Sequence, residues 1–238
     1  TTRLPMGVAV AGALGVAVLC GLWNGALVAG IGMQPIIATL ILMVAGRGIA
    51  QLITDGQIIT IYYQPYFFIG GGYLLGLPFS LFVWVGVLAL LAGLLYKTPL
   101  GVFVQAVGVN PAAARVAGIR ARQLTTAAYV FCGFCAGVAG LLISSNVKSA
   151  DGNSAGQLME LDAILAVTLG GTSLLGGRFS LRGSVLGALI IQTLTTSIYS
   201  LGVPPEINLV VKAVVVFAVC LVQSPELRSW LMKRRVAA

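Results

Sequence analysis

The sequence predicts an all-α, polytopic transmembrane helix bundle. Three observations carry this: 58% of the 238 residues are hydrophobic, only 8% are charged, and the apolar residues gather into runs of membrane length. A soluble domain carries about 25% charged residues. A water-facing surface cannot be built from so few, so lipid must be the solvent for much of the fold. The 31 glycines suit membrane helices that pack closely. Histidine is absent, which removes the commonest metal ligand and the usual general base near neutral pH.

A helix needs about 20 apolar residues to cross the hydrocarbon core. Runs near 5–30, 36–54, 79–96, 124–146, 160–176, 183–200 and 207–223 meet or approach that length, which predicts about seven spans. The fifth is short and Gly-rich, and reads as a broken or partial span, permitted where its irregular backbone is buried in protein. The segment 55–78 carries Tyr62, Tyr63, Tyr66, Phe67, Phe68 and Tyr73. Such aromatics favour the membrane–water interface, so an interfacial or partly re-entrant segment is expected; an eighth short span would break the charge alternation described next.

The connecting segments hold the charge. The loop 97–123 has Lys97, Arg115, Arg120 and Arg122 and no acid; the turn 177–183 has Arg178 and Arg182; the tail after 223 has Arg228, Lys233, Arg234 and Arg235 against Glu226. Asp55, Asp151, Glu160, Asp162 and Glu206 lie in the alternate segments, with Lys148 as their one base. Cytoplasmic loops are the Lys/Arg-rich ones. The loop 97–123, the turn 177–183 and the tail are therefore expected inside, and the stretches 55–78, 147–160 and 201–206 outside. The same placement accounts for the net charge of +8, and no nucleic-acid partner is expected. The chain opens Thr1-Thr2-Arg3-Leu4-Pro5, without an initiator Met or a signal-peptide pattern, and further spans are expected ahead of it.

Three G-x-x-x-G faces, Gly21–Gly25, Gly133–Gly137 and Gly183–Gly187, offer close helix approach. Cys132 and Cys135 form a C-x-x-C inside an apolar run. With no second pair and no histidine, helix packing explains them better than zinc or redox chemistry. Glu160 and Asp162 are the one close carboxylate pair, and their spacing of two points them in different directions on a helix. Hydrolase chemistry has no nucleophile or base nearby. The Gly-rich run 170–177 lacks the G-K-[ST] ending of a phosphate-binding loop.

Within the loop 97–123, Asn110-Pro111 reads as a helix start, with Asn as cap and Pro at the first position. Ala113 and Ala114 favour helix and Gly118 stops it. A short helix bearing Arg115 is expected on the cytoplasmic face. It either lies on anionic lipid or docks a partner. Polar residues inside spans are costly and mark candidate sites. Arg47 and Lys212 either snorkel outward, pair with Glu160 or Asp162 at an outer mouth, or bond to a solute. Asn24, Thr39, Gln51, Thr168, Thr172, Ser173 and Gln192 are neutral candidates to line a path.

The stretch Ala106, Gly108, Asn110, Ala113, Ala114, Arg115, Gly118, Ile119 resembles the coupling segment of permeases in bacterial ABC importers of the ribose and galactofuranose type. Two further stretches match in the same order. One is Gly21-Leu22-Trp23-Asn24-Gly25 through Gln34-Pro35 to Arg47-Gly48; the other is Leu161-Asp162-Ala163-Ile164 through Gly170–Arg178 to Gly187. The resemblance covers nearly the whole chain, and is closest to galactofuranose permeases in Ile41–Gly48 and Leu209–Val216. The family often has Glu where this chain has Ala112, which removes one charge contact. The resemblance implies a single permease domain over 1–238, with a coupling loop at 97–123 and a cytoplasmic tail at 224–238. It implies that a short helix carried by Asn110, Pro111, Ala113, Ala114, Arg115, Gly118 and Ile119 docks on a cytoplasmic ATPase. ATP and Mg would then bind that partner, with no cofactor on this chain. The other implied partners are a second permease, the same or related, and a periplasmic sugar-binding protein, in the bacterial inner membrane. Rival expectations are a permease for branched-chain amino acids or another solute, a membrane enzyme or lipid-handling protein, and a passive channel.

Overall fold

The computed structural model describes residues 5–173, 176–177, 179–200, 202, 210–211 and 213–214. The chain divides into two compact units, Thr1–Gln157 and Leu158–Ala238. Five described helices are long and apolar enough to cross a membrane: Met6–Ile31, Pro35–Thr54, Phe79–Tyr96, Ala121–Val147 and Leu181–Ser200. These match five of the seven expected spans. The expected span 160–176 instead holds an 11-residue helix, and 207–223 lies outside the described residues except at 210–211 and 213–214.

In the first unit, α1 (Met6–Gly25) runs into a π-helical turn, Ala26–Ile31, which ends at Gly32 with φ 83°. Pro35 occupies the first turn of α2 (Pro35–Thr54), where its missing N–H costs nothing. A two-residue strand β1 (Ile59–Thr60), α3 (Gln64–Gly71) and the hairpin β2 (Tyr73–Leu74)–β3 (Leu77–Pro78) fill the aromatic segment. Then come α4 (Phe79–Lys97), α5 (Leu100–Val109), α6 (Pro111–Val116), α7 (Ala121–Val147) and β4 (Ser149–Ala150). Strand β4 pairs antiparallel with β1, Ile59 facing Ala150 and Thr60 facing Ser149.

The organising contact is α1 against α7. A Cβ on Gly21 would stand 2.5 Å from the Tyr129 carbonyl oxygen, and one on Gly25 2.9 Å from Thr126 Cγ2. From the other side, a Cβ on Gly133 would stand 2.5 Å from the Ala17 carbonyl oxygen, and one on Gly137 2.6 Å from Ala17 Cβ. Two of the three G-x-x-x-G faces therefore pack on each other, antiparallel. Lipid tails are as apolar as the helices, so association rests on close backbone approach, which small residues allow. Thr126 adds a hydroxyl bond to the Gly25 carbonyl at 3.4 Å.

Helix α3 folds back along the far end of α7. Ser145, 1% exposed, donates to the Tyr66 carbonyl at 2.6 Å and accepts from the Gly70 N–H at 2.8 Å. The Tyr66 hydroxyl bonds to the Leu141 carbonyl at 3.2 Å and shares a hydrogen bond with Ser144. Lys148 Nζ sits 5.1 Å from the centre of the Phe67 ring. The aromatic segment is thus pinned onto a span. Replacing Ser145 with Ala leaves a buried carbonyl and N–H without that partner. The expected loss is about 1–3 kcal/mol, read as a lower melting temperature of the purified protein.

In the second unit, α8 (Met159–Leu169) ends at Gly170-Gly171, where Gly171 takes φ 79°, and α9 (Leu181–Ser200) follows. An 11-residue helix is only about 16 Å long, half of what the hydrocarbon core requires. The stretch expected as a broken or partial span therefore holds a helix too short to cross by itself. Gly170 and Ala166 meet Gly183 and Gly187 backbone to backbone, so the third G-x-x-x-G face is also a packing face.

The core is thin. Among the described residues the buried apolar side chains are Ala38, Tyr66, Ala114, Ala121 and Ala166, while Leu52 is 79% exposed and Val44 68%. Apolar surface on this scale needs lipid or partner protein to cover it.

Candidate functional site: the 97–123 loop and the polar groups of the spans

The loop is built by local rules. Lys97 ends α4, and the Thr98 hydroxyl bonds back to the Leu94 carbonyl. Helix α5 turns back so closely that Gly101 lies against the Leu95 carbonyl. Asn110 then leaves the helical region (φ −153°, ψ 101°) and caps α6. Its Oδ1 accepts from the N–H groups of Ala112 at 3.0 Å and Ala113 at 3.1 Å. Pro111 is the first helical residue. The helix stops at Gly118, φ 84°, whose N–H bonds to the Arg115 carbonyl while that of Ile119 reaches Ala114, both at 3.0 Å.

This short helix is held from one side. Ala114 is buried and Ile119 half-buried, whereas Asn110, Pro111, Ala113, Arg115 and Gly118 are exposed. Val116 is 91% exposed and Val109 71%. The result is a capped helix with one buried alanine and a rim of exposed Arg and Val. Helix α5 was not expected; its ten residues are too few to span a membrane.

The path candidates are scattered rather than gathered. Asn24 lies between Gly21 and Gly25 on α1, with its Oδ1 buried and without a hydrogen-bond partner among the described residues. Thr39 is satisfied by its own helix, donating to the Pro35 carbonyl at 3.0 Å. Arg47 and Gln51 are one turn apart on α2, hence on one face, and both are half-buried. Gln51 Nε2 donates to Asn153 Oδ1 at 2.9 Å. Asn153 had no signal in the sequence; the Asp151 carboxylate holds its loop by accepting from the Asn153 N–H at 2.7 Å. That bond, and a second from Ser154, keep the Asp151 carboxyl below the ordinary carboxylate range.

In the second unit Thr168 bonds to the Leu165 carbonyl of its own helix at 3.0 Å. Thr172 shares a hydrogen bond with Ser184 at 3.3 Å and accepts from the Ser180 N–H at 3.1 Å, beside exposed Ser173. Glu160 and Asp162 occupy the first turn of α8. Gln192 is exposed. Lys212 lies outside the described residues. Among the described residues no group of three His, Cys, Asp or Glu side chains is placed to hold a metal.

Five membrane-length helices with polar groups inside the spans make this a multi-pass membrane protein. The chain belongs to the family described as branched-chain amino acid transport system / permease component, which matches residues 2–220. It is 53% identical over 212 residues to the galactofuranose transporter permease protein YtfT of Escherichia coli K12, covering 89% of this chain and 62% of that protein. It is 42% identical to the fructose import permease protein FruF of Bifidobacterium longum, covering 94% and 65%. It is 41% identical to the ribose import permease protein RbsC of Bacillus subtilis, covering 81% and 60%. The chain thus spans about three fifths of the length of these relatives. No solved structure matches it.

Proposed function

We propose that this chain is the permease subunit of an ATP-driven importer in the bacterial inner membrane, forming the path for a monosaccharide. The observation that carries this reading is the 53% identity to a galactofuranose permease, with fructose and ribose permeases also alike. The geometry supports it in two places. The capped α6 is shaped to dock on a cytoplasmic ATPase, which would bind ATP and Mg. On α1, Asn24 holds a buried Oδ1 without a hydrogen-bond partner among the described residues, and a polar group of this kind inside a span suits a sugar hydroxyl. A second permease and a periplasmic sugar-binding protein complete the proposed assembly, and rocking of the two permeases alternates access. The name of the family would favour branched-chain amino acids, but the relatives named here carry sugars.

The test is uptake of labelled galactofuranose, with ribose as comparison, in cells lacking their own importers. The full-length protein is expressed with its neighbouring transport genes, with an active or an inactive ATPase. Uptake of one sugar that stops with the inactive ATPase is the expected result. Flux that persists without ATP hydrolysis makes the protein a channel, and absence of uptake of either sugar by an intact complex overturns the substrate.

A further inference from the structure

A cavity of about 480 Å³ opens between the π-helical turn and the first two turns of α7. It is lined by the small residues Ala26, Ala29 and Gly30 of the turn and, along α7, by Arg122, Gln123, Thr126, Ala127 and Val130, so that the start of α7 makes its polar mouth. The π-helical turn widens the end of α1, and its small side chains leave the space unfilled.

We propose that this cleft binds the headgroup and upper acyl chain of an anionic phospholipid of the cytoplasmic leaflet, through Arg122 and Gln123. Three observations converge on that occupant. The first is depth. Helix α7 has 27 residues, about 40 Å at 1.5 Å per residue, against about 30 Å of hydrocarbon. Shared between its ends, the excess leaves about one turn, with Arg122 and Gln123, at the headgroup layer, and the positive-inside rule makes that layer cytoplasmic. The second is charge. The segment 97–123 contains four bases and no acid, so Arg122 has no carboxylate in its own loop, and a basic pocket between spans on this side suits an anionic headgroup. The third is polarity. The Arg–Gln mouth gives way along α7 to Thr126, whose hydroxyl is taken up by the Gly25 and Arg122 carbonyls, and then to Ala127 and Val130, the profile of a phosphate followed by methylenes. A soluble phosphate would use the mouth alone.

The experiment titrates the purified, delipidated full-length protein with phosphatidylglycerol and phosphatidylcholine of the same chains, following bound lipid by native mass spectrometry. Wild type is expected to prefer phosphatidylglycerol by about five-fold, the contribution of one basic residue near a membrane surface. Arg122→Gln is expected to abolish the preference and Arg122→Lys to keep it. Ala127→Leu, which fills the cleft with the arginine in place, is expected to weaken binding of both lipids. Equal binding of the two lipids by wild type overturns the proposal, as does an unchanged preference in Arg122→Gln. Glycerol phosphate competing as well as the lipid would overturn the lipid assignment in favour of a soluble anion. Loss of ATPase association in Arg122→Gln with lipid binding intact would assign the cleft to the partner protein instead. None of these readouts needs transport, so the proposal and the importer reading fail separately.

Discussion

Gly133→Leu is expected to prevent the chain from accumulating as folded protein, whereas Gly140→Leu, two turns further along the same helix, is expected to be tolerated. The contrast follows from what each side chain would meet. At Gly133 the first carbon already lies 2.5 Å from the Ala17 carbonyl oxygen and 3.0 Å from Gly21 Cα. Both are backbone atoms of a helix and cannot swing aside. At Gly140 nothing stands within 4 Å. Overpacking of a tight contact costs about 1–3 kcal/mol per intruding group, and a leucine here forces the whole α1–α7 pair apart. Since this pair buries little apolar surface, close approach is most of what holds it. Gly133→Ala is the graded test: a fall in melting temperature of roughly 5 °C is expected from the scaling for chains of this size. Measured in detergent, equal melting temperatures for Gly133→Leu and Gly140→Leu would show that α1 and α7 do not pack through these faces.

The same contact shows where the sequence was legible and where it was not. Spans are written in composition, because lipid demands about 20 apolar residues wherever a helix crosses, and five of them stand within a few residues of their expected bounds. The G-x-x-x-G faces are visible as motifs. Their pairing is not, since which two glycine faces meet depends on how α1 and α7 come together across more than a hundred residues. The fifth span was ambiguous for a physical reason: 160–176 is apolar enough to span, yet Gly170-Gly171 ends the helix after 11 residues. The α6 helix was fully legible, because Asn110, Pro111 and Gly118 act on their own backbone. Ser145 was not. A serine at the end of an apolar run carries no mark of the aromatic segment that folds back onto it. The path residues fared similarly. Thr39 is a polar residue in a span, as a path residue would be, yet its hydroxyl is spent on its own helix, which only coordinates reveal.

Asn110→Ala combined with Gly118→Val is expected to abolish ATP-driven uptake while leaving the chain in the membrane in normal amount. Each change attacks one end of α6. Asn110 supplies the Oδ1 that two backbone N–H groups share, and loss of such a cap costs about 1 kcal/mol. Gly118 holds φ 84°, a conformation costing roughly 1–2 kcal/mol for a residue with a Cβ. A helix of six residues has little reserve to absorb either, since helices shorter than about 12 residues are marginal in water by themselves. The damage stays local. No heavy atom stands within 4 Å of the Gly118 Cβ position, so Val strains the turn without colliding with the spans. The readout separates the two sequence-level expectations for this loop. If α6 docks the ATPase, the partner no longer co-purifies and uptake falls by at least ten-fold. If Arg115 merely rests on lipid, the partner still co-purifies and uptake continues, because a frayed helix keeps its arginine at the surface. Asn110→Asp makes the comparison sharper: aspartate caps as well as asparagine, so the partner should still co-purify with that variant. Loss of the ATPase with Asn110→Asp as well as with the double variant would place the requirement on the Asn110 side chain itself rather than on the helix it starts.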